Sequence, residues 1–140
     1  MKQLLTTLFF IFLSSCIGKT PGSKKFVGIW KSASGAQLEL KTDGTFTGKS
    51  LPTKLFFSYV DSTVPTYFDG DGHWDIKTWK IQFPSIIVDF DNTSIIKTSS
   101  TQIFVSGSGF TEEQPPWNTL FIWVGEEGGN RYEFKRQLSK

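Results

Sequence analysis

The chain predicts an all-β fold, a single small antiparallel β-barrel of about eight strands, on three observations. After residue 25 no segment repeats its apolar residues at helical spacing over three turns. Short alternating runs bounded by Gly, Asp, Asn or Pro recur instead, the period-2 pattern of half-buried strands. No helix stands between these runs to carry a parallel crossover, so neighbours must pair antiparallel, and closing the sheet on itself removes its edges.

The elements follow in order. Ile29 to Ser32 begins a strand that turns at Ser34-Gly35. Ala36, Leu38 and Leu40 then alternate with Gln37, Glu39 and Lys41, a half-buried strand. Thr42-Asp43-Gly44 is a turn in which the glycine supplies a positive φ, and Thr45 to Lys49 returns with Phe46 inward. From Leu51 to Tyr67 the pattern is irregular and fits a short helix, a strand or a lid. "DGDG", Asp69 to Gly72, reads as a turn. His73 to Thr78, Trp79 to Phe83 and Ser85 to Phe90 follow as strand material, ended by a turn at Asp91-Asn92. Ile95 to Ser106 is β-branched and polar, as an outer strand is, and Thr119 to Val124 pairs across Gly125 to Gly129 with Arg131 to Gln137.

The start of the chain obeys different rules. Met1-Lys2 is basic, and Leu4 to Leu13 is apolar apart from Thr6 and Thr7. A helix of ten residues rises about 15 Å against a bilayer core of about 30 Å. Basic start, short apolar centre and small-residue exit are the parts of a secretory signal peptide. The exit, Leu13-Ser14-Ser15-Cys16, resembles the lipobox of bacterial lipoproteins, which implies cleavage before Cys16 and acylation of its sulfur and new amino group. Cys16 is the only cysteine, so no internal disulfide is possible, and lipidation gives this odd thiol a role. Two or three acyl chains make an effectively permanent anchor. The expected organisation is a signal peptide over 1–15, a lipidated cysteine and flexible tether over 16–25, and one barrel domain over 26–140. Ile17 stands where, in the enteric sorting rule this resembles, Asp would retain the protein at the inner membrane. The resemblance implies the outer membrane.

Removing the first 15 residues leaves 125, enough for one domain, with a charge near +1. Such a balance implies neither nucleic acid nor an acidic substrate. Of the chain's 14 Phe, 11 lie after residue 15, and with the 5 Trp and 3 Tyr they fill a small core efficiently and would equally line a ligand groove.

Phe26-Val27-Gly28-Ile29-Trp30 puts a Gly-x-Trp at the first strand, and Tyr132, Phe134 and Arg136 share one face of the last. These residues resemble the entry motif of lipocalins and other calycin barrels, where the tryptophan closes the barrel floor beneath an arginine. The resemblance implies Trp30 and Arg136 as a structural pair, with Arg131, on the opposite face, as the alternative. The longer string "GIWKSASGAQLELKTDGTFTGKSLP", the later "GHWDI" and the terminal aromatic-x-Arg resemble small lipocalin-like lipoproteins. Thr-Asp-x-x-Tyr and the stapling cysteines of many lipocalins are absent, and an eight-stranded barrel this small is filled by its own side chains or holds one small ligand.

Catalytic chemistry finds no foothold. His73 is the only histidine, and Gly107-Ser108-Gly109 is not a nucleophile elbow. Asp69-x-Asp71-x-His73-x-Asp75 has the look of a calcium loop, yet Lys80 stands where its bidentate Glu belongs and Trp74 where its glycine does. Glu112-Glu113 and Glu126-Glu127 read as solvated loop charge. Phe110 and Trp117 form a candidate interaction loop beside Pro115-Pro116, unless Trp117 plugs a barrel end. Phe121 and Trp123 share one strand face while Leu120, Ile122 and Val124 share the other, so either both faces are covered, by 51–67 for example, or one is an interaction surface. The chain therefore reads as a non-catalytic, membrane-anchored binding module of the bacterial envelope. It needs no metal, and no cofactor beyond the covalent lipid on Cys16. It carries a small apolar ligand or, alternatively, engages an envelope protein as an accessory subunit or an inhibitor of a wall-degrading enzyme.

Overall fold

The structure is a computed structural model, and it describes residues 22–57, 59–77, 84–95, 98–108, 112, 114–125 and 129–138. After a 3-10 turn at Ser23–Lys25 come β1 (Gly28–Ser32), β2 (Gln37–Leu40), β3 (Thr45–Pro52), α1 (Thr53–Phe56), β4 (Tyr67–Lys77), β5 (Ser85–Thr93), β6 (Ser99–Ser108), β7 (Gln114–Val124) and β8 (Asn130–Arg136). Each strand pairs antiparallel with the next, and β8 returns to β1 through Trp30 opposite Arg136 and Ser32 opposite Phe134. The fold is thus all-β, an eight-stranded antiparallel closed barrel.

Alternation decides what enters the barrel. Leu38 and Leu40 of β2, Phe68 and Trp74 of β4, Ile86, Val88 and Phe90 of β5, Ile103 and Val105 of β6, and Leu120 of β7 all point inward into one apolar cluster. The turn before β3 forms as expected: Gly44 has φ +81°, and Asp43 accepts the backbone N–H and the hydroxyl of Thr45 at 2.9 and 2.6 Å. Those two bonds hold the Asp43 carboxyl below its usual range.

Two expected turns are instead strand. The "DGDG" segment lies inside β4, and Asp91-Asn92 lies inside β5 directly across from it, where the register shifts between Asp71 and Gly72. The glycines are there for space. A Cβ on Gly70 would sit 2.9 Å from a Phe90 ring carbon, and one on Gly72 would sit 1.9 Å from the Asp89 carbonyl oxygen. They admit the Phe90 ring and let a bulged β5 approach closely. A second shift, between Gly48 and Leu51 of β3, turns both residues inward although their parity differs. Ser50, at φ 52° in that bulge, donates its backbone N–H to Asp69 Oδ1 at 2.7 Å.

The irregular stretch after β3 is neither strand nor loose loop. Thr53 donates its hydroxyl to the Pro65 carbonyl at 2.6 Å and its backbone N–H to the Thr66 carbonyl at 2.9 Å, pinning α1 across the barrel mouth. Phe56 and Phe57 descend into the interior, where with Phe46 and Phe68 they surround Phe90 at ring-centroid distances of 5.1 to 5.9 Å. The segment covers the mouth and not the outer wall that carries Phe121. β7 likewise begins earlier than the alternation indicates, at Gln114, and takes in Pro115, Pro116 and Trp117.

Candidate functional site

Strand direction separates the barrel into two ends. At the first lie the incoming chain, the β2–β3 turn and the residues after β8; at the second lie the β1–β2 turn and α1. The first end is closed by two tryptophans. Trp30 is fully buried and donates Nε1–H to the Phe26 carbonyl at 2.8 Å, and Trp74 donates its own Nε1–H to the Lys41 carbonyl at 3.0 Å. The structure brings Trp30 and Arg136 together. The Arg136 Cζ lies 5.7 Å from the indole centroid, Nη2 donates to the Val27 carbonyl at 2.8 Å, and Nη1 donates to the Lys25 carbonyl. Arg136 thereby fastens the incoming chain to the last strand.

Arg131, five residues earlier on β8, faces outward. Its Cζ stands 4.2 Å from the Phe121 ring centroid and 4.8 Å from that of Trp123, its cross-strand partner. Nη1 donates to both carboxylate oxygens of Glu112, at 3.0 and 2.8 Å, and Glu112 Oε2 also accepts the Ser106 hydroxyl at 3.0 Å. Glu112 is therefore not a solvated loop charge: the Arg131 bonds hold its carboxyl below the usual range, against partial burial that acts the other way. Phe104 stacks on Phe121 with centroids 5.6 Å apart, which completes an aromatic and ionic layer on the outside of β6 to β8. Phe121 is fully buried on a face that strand parity leaves outside the barrel. The parity of Arg131 with Trp123 and Phe121 is the signal that could have found the layer; the role of Glu112 had none, because its position depends on a connection with no periodicity.

Trp117 does not offer an exposed platform. It is 9% exposed, belongs to the interior cluster, and its Nε1 is the one buried side-chain polar atom among the described residues without a hydrogen-bond partner. Phe110, its companion in the expected interaction loop, lies outside the described residues, as do Cys16 and the whole of 1–21.

At the second end, the Tyr132, Ser32 and Ser34 hydroxyls form a ring in which Tyr132 donates to Ser32 at 2.9 Å and Ser32 also accepts the Ala36 N–H at 3.0 Å. Beside it an open groove of about 440 Å³ runs between α1, the loop 61–66 and Tyr67, and a second of about 260 Å³ lies over Gly48, Gly70 and Thr93. Asp69, Asp71, His73 and Asp75 line the exposed outer side of β4, where His73 Nδ1 meets the Asp91 carboxylate. Among the described residues no group of three or more His, Cys, Asp or Glu side chains could hold a metal ion, and no helix is long and apolar enough to cross a membrane. No protein-family model, curated protein or solved structure matches the chain.

Proposed function

We propose that this chain is a lipocalin-like lipoprotein of the bacterial envelope, held at the outer membrane by acyl chains on Cys16. In this reading it is a non-catalytic binding module that engages a protein partner from outside the barrel. The observation that carries the choice of outer surface over interior carriage is the five-phenylalanine cluster about Phe90. Phe56, Phe57, Phe68, Phe46 and Phe90 occupy the space where a ligand would lie, and α1 covers the mouth. Small eight-stranded barrels close on their own side chains in this way. Among the described residues, the two grooves, beside Tyr67 and over Gly48, are open and lie on the outside.

Native mass spectrometry of the full chain extracted from cell membranes tests the reading. A stoichiometric protein partner with no co-purifying small molecule is expected; a small apolar molecule retained by the barrel returns the assignment to carriage. For the anchor, Cys16→Ser is expected to abolish fatty-acyl labelling and accumulate uncut precursor, and unchanged labelling removes the lipoprotein assignment.

A further inference from the structure

We propose that the barrel end bearing Lys24, Lys25 and Lys41 docks on an anionic lipid surface, so that the end carrying α1 and both grooves points away from the membrane. The inference rests on the lipid anchor at Cys16 and adds to it an orientation and a chemistry of contact. Charge is divided along the barrel axis. At the end where the chain enters, the described side chains include Lys24, Lys25, Lys41, Lys77 and Arg136. Against them stand two exposed carboxylates, Asp43, which accepts from Thr45, and Asp75, which accepts the Ile76 N–H. At the far end the exposed Asp61, Asp69, Asp71 and Asp91 stand against Lys31, Lys49 and Lys54, and Arg131 is paired with Glu112, so that end has no cationic excess.

Geometry makes this division matter. Lys24 and Lys25 sit on the 3-10 turn with exposed side chains, and that turn is not a free tail, because the Lys25 carbonyl accepts from Arg136 and the Phe26 N–H donates to the Ser23 carbonyl at 3.0 Å. Their position is thus fixed relative to the barrel. Only five residues, 17–21, separate Cys16 from Gly22, a reach of at most about 20 Å. Lys19 lies within that span. The tether therefore lets the basic end come within one Debye length of the headgroups, about 8 Å at physiological salt, while the far end lies a barrel length farther off, where charge is screened. Attraction of the near cations, felt once they approach within a Debye length, turns the entry end toward the surface.

The test uses full-length lipidated protein in vesicles, with a dye on a single introduced thiol, Thr42→Cys at the entry end or Ser62→Cys beside α1, and an energy acceptor on the lipid headgroups. Both positions are exposed, and acylation leaves the new thiol the sole reactive one. In vesicles with about a third phosphatidylglycerol, transfer from position 42 is expected to exceed that from position 62 by about twofold or more. That excess should fall when Lys24→Gln and Lys25→Gln are combined, or when salt is raised to about 0.5 M. Equal transfer from the two positions, or an excess identical in neutral phosphatidylcholine vesicles and in the double variant, overturns the docking while the anchor stands. A chain that mass spectrometry finds without acyl groups on Cys16 overturns the anchor and the docking together.

Discussion

The two ends of the barrel are both shut by aromatic rings, and they are shut in different ways. At the entry end the rings belong to strands: Trp30 sits in β1 opposite Arg136 of β8, the pair at which the barrel closes. At the far end the closing rings, Phe56 and Phe57, belong to an inserted segment that hangs from β3 and is tied down by Thr53, and by Thr101 donating to the Phe56 carbonyl at 3.1 Å. Strand-borne closure is coupled to every ladder bond of the β1–β8 seam. Inserted closure is coupled to a few bonds and can open locally without breaking the ladder.

Trp30→Ala gives the largest effect this contrast predicts. It removes a fully buried indole, its bond to the Phe26 carbonyl and the platform beneath Arg136, and should destabilise the fold by about 3–5 kcal/mol in denaturant unfolding, with one cooperative transition. A loss below about 1 kcal/mol would mean that the seam does not depend on the ring. Next comes the wall between the ends. Gly72→Ala places a methyl 1.9 Å from the Asp89 carbonyl oxygen, so backbone must move, and a loss of about 3 kcal/mol is expected by the same measurement. Wild-type stability in this variant would show that the bulge opposite Gly72 yields freely.

The contrast also explains how much of the molecule was legible beforehand. Strand-borne features leave a period in the sequence: Leu38 and Leu40 in alternation, Trp30 at a strand start, Tyr132, Phe134 and Arg136 on one face. Features that break the period leave none. Gly70 and Gly72 read as turn residues because glycine commonly supplies positive φ, whereas here it supplies room, at Gly70 for the Phe90 ring and at Gly72 for the β5 backbone at Asp89. Thr53, Phe56 and Phe57 lie in a stretch without alternation, so nothing local indicated that they fold into the mouth. Trp117 follows two prolines, a loop signal, yet β7 extends through them and buries the ring. Glu112 became part of the outer layer only through a contact with Arg131, nineteen residues later.

A smaller effect sharpens the picture of the inserted closure. Thr53→Val keeps the side-chain shape and removes the hydroxyl bond to the Pro65 carbonyl, at a cost of about 1 kcal/mol. The loss should appear as faster exchange at the Phe57 amide, which bonds the Thr53 carbonyl at 2.9 Å, while the amides of the β1–β8 seam keep their protection. If seam and lid amides accelerate equally, the two ends form one cooperative unit and the contrast between them fails.

The smallest effect belongs to the outer layer, and its sign is set by linkage. The Glu112 carboxyl is held below the usual range in the folded chain, chiefly by Arg131, so the unfolded chain binds its proton first as pH falls. The stabilising contribution is therefore complete above the unfolded value, near 4.5, and is lost as pH drops through the lowered folded value. Glu112→Gln removes the charge and keeps the shape. With about a third of the Glu112 side chain exposed, the variant should be less stable than wild type by no more than about 1 kcal/mol at pH 7. The difference should shrink as pH falls below about 4.5 and close once pH has passed through the lowered folded value, where the wild type takes up the proton. A difference that stays constant down to pH 3 would show that the pair with Arg131 does not carry it. The ring contacts of Phe121 and Trp123 would then carry more of the hold on Arg131 than the ion pair does. Arg136 at the seam, by contrast, combines its contact with Trp30 with bonds to the Val27 and Lys25 carbonyls.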